Sequence, residues 1–452
     1  MSQEDERKER ILGRLLSENS IYKTIKDLCI IGSRFAGTES EKIAQEYINQ
    51  FLSEIGVSVQ KYEFEYQGWI RGECKFDIIS RNKEYTFPAI SLVLAPSTNN
   101  LTLETNIIEG LGGSKTELQQ IKNNIPGKAI MVHSGETKEG WLHRRIKYAN
   151  ACEYGAKVFI FANHNPGQLF PTGSVRSNRI GEIPAIGISK ESYEFIREIL
   201  HKDENLIAKI FVSNKIPRLT SKHIIWELPG RIKDEVIVIG GHYDGHDIAQ
   251  GATDNAGSIA AILEITKLMK EFNYLPERTL RFIAFGVEEF GVVGSTIYVD
   301  NANLSDVVAM INLDGLIGYI PKQIICSGIE ELFEKVKELM EDLLYDANIY
   351  NNVIAASDNY PFFTKGIPNI CVFGEKPDPS VGRGYGHTSA DTFDKITRLD
   401  AKLSTAFAFV LIDKFSKIKE LPKRLKESEV IKILQDTKLE ENLKLLEKWP
   451  FK

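Results

Sequence analysis

The sequence predicts an α/β protein built on a mainly parallel mixed sheet with helices on both faces, with a smaller α/β domain inserted into it. Three observations lead there. Short apolar runs of buried-strand length, among them EVIVIGG, RTLRFIAFG, VVAMINLDG and NICVFG, alternate with helical patterns from about residue 222 onward. They are apolar on both faces, as strands of a parallel sheet covered by helices must be. A second group of such runs, GKAIMVHSG, GAKVFIFAN and EIPAIGIS, falls within residues 88–218, where the character of the chain changes.

The elements follow in order. Residues 3–29 read as a polar-rich helix, and a turn-like GSRFAG comes next. From Thr38, with Glu41 as a capping-box partner, Ile43, Tyr47, Ile48, Phe51, Leu52 and Ile55 recur at helical spacing until Gly56 stops the run. Val57, Val59, Tyr62, Phe64 and Tyr66 mark an extended segment, and a strand is expected over 74–80. Inside the insert, helices are expected near 143–154 and 190–202. Beyond it, SIAAILEITKLMKEF and residues 330–345 read as helices, and the Lys/Glu-rich stretch 421–448 reads as a packing or homodimer helix. The expected domains are 1–87, 88–218, 219–420 and 421–452.

Composition narrows the function classes. The chain has 452 residues, 42% hydrophobic and 26% charged, the balance of a folded globular protein. Its 56 Lys and Arg against 62 Asp and Glu give a net charge of −6, without the basic excess that nucleic-acid binding needs. The amino terminus, MSQEDERKERILGRLL, is charged and lacks a signal-peptide core, and no run of 18 apolar residues marks a membrane span. Five cysteines without CxxC spacing argue against a disulfide framework or a thiolate metal site and point to a reducing, cytoplasmic setting.

The chemistry lies where polar residues interrupt the apolar strands. EVIVIGG runs into His242, Tyr243 and Asp244, RFIAFGV into Glu288 and Glu289, and VAMINL into Asp314. Ligands bind at the carboxyl edge of open α/β sheets, so these side chains are expected to converge on one crevice. Several carboxylates and an imidazole in a partly dry cleft repel one another unless a multivalent cation sits among them, and a sulfur-free His/carboxylate set suits zinc, with cobalt or manganese as substitutes.

The motifs GGHYDGHDIAQGATDNAGS, FGVEEFGVVGS, INLDG, SDNYPFFTKGIP and YGHTSADTFD occur in the order seen in the co-catalytic di-zinc peptidases, and over residues 30–80 and 222–415 the chain resembles that family. The inserted region resembles the protease-associated domain many members carry. The resemblance implies a zinc-exopeptidase fold and two zinc ions, His242 and Asp314 completing one, Glu289 and His387 the other, with Asp254 bridging both. It implies Glu288 as general base acting on a zinc-activated water, and a peptide substrate. The activity implied is an aminopeptidase, with two alternatives, a carboxypeptidase of the glutamate type and a non-catalytic binding module of the same fold.

Other residues carry two readings each. Asp244, an H-x-D partner, is expected to receive the second imidazole N–H of His242, an ordinary turn residue being the other reading. His246 has no counterpart in the family pattern and reads as a loop or core histidine. Tyr385 either polarises the scissile carbonyl or packs in its loop. Arg144 resembles a carboxylate-binding arginine of the glutamate carboxypeptidase branch or forms a surface ion pair. Arg383 is a candidate substrate contact or a solvated charge.

Overall fold

The structure, a computed structural model, describes residues 3–81, 83–341, 347–375 and 385–451. Its strands form two eight-stranded mixed sheets. In the first, the central strands Arg278–Phe285, Ile232–His242, Val307–Leu313 and Asn369–Glu375 run parallel in that order. Antiparallel strands flank them, Arg218–Leu228 and Gln60–Gln67 on one side and Tyr319–Ile325 on the other, with Ala347–Tyr350 parallel to it at the edge. The parallel core is apolar on both faces because helices cover both. Gly257–Glu271 and Arg398–Ser416 bury most of their length against one core cluster, while Phe362 and Tyr298 pack with Val238 and Phe285 in another.

The second sheet runs Lys83–Phe87, Cys74–Ser80, Ile207–Val212, Leu103–Glu109, Ala129–His133, Val158–Ala162, Ala185–Ile188 and Ile90–Ser91. Strands Cys74–Ser80 and Lys83–Phe87, on the near side of the boundary expected at 88, pair in this sheet. The chain therefore leaves the first sheet after Gln67 and re-enters it at Arg218, because Gln67 pairs directly with Arg218.

Four local expectations shift. The single helix over 3–29 is two, Gln3–Ser17 and Ser20–Ile31, broken at Glu18 and Asn19. In helix Glu39–Glu54, Thr38 caps Glu41 N–H, but Glu41 turns away from the cap and accepts from Gly37 N–H at 2.6 Å and from Ser221. Burial of that carboxylate raises its pKa to about 7. Ile43, expected on the packing face, is 48% exposed, and Ala44, Ile48 and Leu52 form the buried stripe. The carboxyl-terminal stretch forms Glu427–Asp436 and Glu440–Leu445, whose Val430, Leu434 and Leu443 are buried in the chain's own main core. Among the described residues no helix is long and apolar enough to cross a membrane.

Candidate metal centre

Strand Ile232–His242 ends on a buried histidine whose Nδ1–H donates to the backbone carbonyl of Asp244 at 2.9 Å, which leaves Nε2 turned into the crevice. The expected role of Asp244 is corrected here. Its carboxylate stands 3.8 Å from His242 Nδ1 and accepts instead the backbone N–H groups of Glu288 and Glu289, each at 3.1 Å. Those amides face Asp244 because Val287 adopts a left-handed φ of 65°, a costly conformation for a β-branched residue that turns the chain sharply at the end of strand Arg278–Phe285. Beyond the turn the chain packs tightly. A Cβ on Gly294 would lie 1.9 Å from the Gly286 carbonyl oxygen, so only glycine fits there.

Asp254 lies just ahead of helix Gly257–Glu271, and the Asp254–Asn255 peptide is cis. Its carboxylate faces two ways. Oδ1 is 3.2 Å from His242 Nε2, and Oδ2 is 3.3 Å from His387 Nε2. Asp314 Oδ1 lies 3.6 Å from His242 Nε2, and Glu289 Oε2 lies 3.5 Å from His387 Nε2. Donors bound tetrahedrally to one zinc at 2.0–2.2 Å stand about 3.4 Å apart, so His242, Asp254 and Asp314 have the spacing of ligands around an ion, and Glu289 and His387 gather in a second group with His246. The donor set fits zinc.

The electrostatics agree. Burial would suppress the His242 imidazolium, but Asp254 and Asp314 outweigh it and hold its pKa well above the usual histidine value. Burial raises Asp254 in turn, yet His242 and His387 pull it well below the usual carboxylate range. Asp358, fully buried, is pushed up to about 7 by burial. This crowding of acids is the field that a multivalent cation relieves.

Several positioning residues were not legible as such. Arg34, from GSRFAG, is fully buried and donates to the carbonyls of Tyr243 at 2.8 Å, Gln250 at 2.6 Å and Gly251 at 2.8 Å, tying down the loop between His242 and Asp254. Asp391 accepts from Thr253 N–H at 2.8 Å and Asp254 N–H at 3.1 Å. Asn255 donates to the Leu313 carbonyl and accepts from Gly315 N–H, both at 2.9 Å, so it staples the bridging loop on either side of Asp314. Ser357 donates to Asp314 Oδ2 at 2.5 Å. Arg34, Asn255, Asp391 and Ser357 all lie in segments that the sequence singles out, but a turn and a motif do not say which side chain reaches across the fold.

His246, read as a loop or core histidine, is buried and lies within the centre, its Nε2 2.7 Å from Glu289 Oε2. Arg144 is buried rather than in a surface ion pair, donating to the carbonyls of Thr172 at 2.9 Å and Ser174 at 3.1 Å. It lines a cavity beside His387 together with Trp141, Phe161 and His164. Tyr385 is 40% exposed, its ring 5.1 Å from the Lys395 ammonium. Arg383 lies outside the described residues.

Residues 223–410, which carry every one of these candidate ligands, match the family described as Peptidase family M28. Over those residues the chain carries an M28 peptidase segment. It is 25% identical over 421 residues to aminopeptidase YwaD of Bacillus subtilis (strain 168), covering 90% of this chain and 87% of the relative. It is 24% identical over 404 residues to carboxypeptidase Q of Xenopus laevis, covering 85% and 83%. The solved structure of BSAP, a zinc aminopeptidase from Bacillus subtilis, superposes with a TM-score of 0.68 at 23% identity, covering 90% of this chain and 97% of that one. This M28 peptidase is a metal-dependent exopeptidase, and its family match begins inside strand Arg218–Leu228, after the second sheet is complete.

Proposed function

We propose that this M28 peptidase is an aminopeptidase with two zinc ions, His242, Asp314 and Asp254 holding one and His387, Glu289 and Asp254 the other. The observation that carries the reading is the two-way Asp254 carboxylate, one oxygen against each imidazole Nε2. Bound zinc supplies Lewis acidity and makes a water nucleophilic at neutral pH. Glu288, adjoining the proposed ligands and held by Asp244 through its backbone, would take a proton from the attacking water on its carboxylate and pass it to the leaving amine. The acidic surroundings receive the protonated amino end of the substrate.

The second sheet, residues 68–217 between the paired strands, is read as a protease-associated domain that caps the crevice. Its support is the Thr172 segment, whose N–H donates to the His387 carbonyl at 2.9 Å, and the cavity that Arg144, Trp141 and Phe161 share with His387. The five cysteines, none in a disulfide, accord with a reducing, cytoplasmic setting.

One observation favours carboxypeptidase activity instead. The chain end brings Lys448 to the crevice, its ammonium donating to the Ala355 carbonyl at 3.0 Å. Burial and Arg145 hold its pKa well below the usual lysine value, against the pull of Glu288 and Asp358. A terminal carboxylate arriving beside Lys448 and Arg145 would favour the lysine's charged form and pair with both. Blocked peptides separate the two readings. N-acetylation of a short peptide is expected to abolish cleavage and C-terminal amidation to be tolerated. The opposite pattern would overturn the aminopeptidase reading and assign Lys448, Arg144 and Arg145 to the carboxylate.

A further inference from the structure

We propose that His246 is the positioning residue of the second metal site, donating its Nε2 proton to Glu289 and packing edge-on against His387. The assignment rests on the reading of Glu289 and His387 as ligands. His246 is 3% exposed, and its Nε2 lies 2.7 Å from Glu289 Oε2 and 3.1 Å from His387 Nδ1. Its ring centroid is 4.3 Å from that of His387, with the planes at 67°.

The distances separate two roles that a buried imidazole among metal ligands can play. Donors sharing one tetrahedral ion stand about 3.4 Å apart, the spacing of His387 Nε2 from Asp254 and Glu289. The 2.7 Å contact of His246 with Glu289 is shorter than that edge and has the length of a hydrogen bond from a ring N–H to a carboxylate. His246 therefore supports the ligand rather than joining it. A neutral imidazole carries one proton. With it on Nε2 and turned to Glu289, the 3.1 Å approach to His387 Nδ1 is a packing contact, and His387 donates its own Nδ1–H to the Thr172 carbonyl at 3.4 Å, which presents His387 Nε2 to the ion.

The backbone, not the ion, places the ring. Gly245 lets the loop pass so close to the preceding segment that a Cβ there would lie 2.9 Å from the Ser33 carbonyl oxygen. Ala249 N–H returns to the His246 carbonyl at 3.2 Å, and Arg34 fixes Gln250 and Gly251 immediately downstream. Phe35 lies against the ring, with centroids 6.4 Å apart. The oxygen of Glu289 that faces His387 is thus held before any ion arrives, the arrangement that sets affinity through residues touching the ligands alone.

The test titrates Co²⁺ into metal-stripped full-length protein, following cobalt absorption bands and binding heats, for wild type, His246→Phe and His246→Gln. The first ion is expected to bind all three alike. The second should bind His246→Phe about 10–100-fold more weakly, with part of the loss recovered in His246→Gln, whose amide can donate to Glu289. Thermal unfolding of the stripped proteins separates this from general destabilisation, and the three midpoints should agree within a few degrees. Unchanged second-ion affinity in His246→Phe, or equal weakening of both ions, would overturn the assignment. Wild-type protein saturating at one ion refutes the two-ion reading itself, and the assignment falls with it.

Discussion

Burial drives the Glu288 carboxyl well above the usual carboxylate range, and Glu289 and Asp358 add to that shift while His242 opposes it. A carboxyl so placed holds a proton more tightly, and a cation among the neighbouring ligands would draw that affinity back down. Glu288→Gln is expected to keep its metal and lose turnover by ~100-fold or more, since it removes the proton carrier while leaving the proposed ligands in place. Steady-state kinetics with metal analysis of the same preparation measures both, and normal turnover would remove Glu288 from the role. The identities of His242, Asp254, Glu288, Glu289, Asp314 and His387 were legible as candidates because they stand at strand ends or in recognised motifs. Arg34, His246 and Lys448 were not, because a long side chain's partner lies wherever the fold brings the backbone.

The turn after strand Arg278–Phe285 is held less by its own sequence than by Asp244 on the neighbouring strand, which accepts two successive backbone amides. Parallel pairing of Ile232–His242 with Arg278–Phe285 brings the two strand ends level, His242 opposite Phe285, and so makes that bond. The clamp predicts a specific pattern. Asp244→Ala leaves two amides unsatisfied in a buried turn, at about 1–3 kcal/mol each, and should lower the unfolding midpoint of the metal-free protein. It should weaken the ion held by Glu289 more than the ion held by His242 and Asp314, because the His242 tautomer is set by the Asp244 backbone carbonyl, which the substitution retains. Stepwise cobalt titration reads the order, and preferential loss of the His242 site would restore the orienting role first expected of Asp244. Helix Glu39–Glu54 teaches the same lesson. Thr38 caps it as its sequence indicates, while Glu41 is drawn off to Gly37 and Ser221 by a contact no local pattern contains.

At the scale of the molecule, the carboxyl-terminal helices join the two sheets. Leu443 is buried in the main core, while Glu447 meets Arg179, Leu445 accepts from Arg176, and Glu441 meets Lys115, all three cations belonging to the second-sheet segment. These are mostly exposed pairs of small individual worth, so they orient the segment more than they stabilise it. The metal centre is the larger lever. The proposed ligands come from four separate stretches of chain, so an ion held by them would bind only the folded state and at 1,000 times its Kd would add about 4 kcal/mol. Chelation is therefore expected to abolish peptidase activity and lower the unfolding midpoint by several degrees, with zinc or cobalt restoring both; an unchanged midpoint would exclude a structural contribution from metal. The sequence by itself determined the α/β class, the parallel core and the candidate ligands, because apolar runs of strand length and the acids that end them are local patterns set by burial and sheet geometry. It placed the second sheet's first strands on the wrong side of a boundary, since nothing local distinguishes Cys74–Ser80 from a strand of the first sheet. Only tertiary structure decided that, together with the partners of Asp244, His246 and Lys448, because pairing partners and long-range hydrogen bonds depend on which segments the folded core brings within 3 Å of one another.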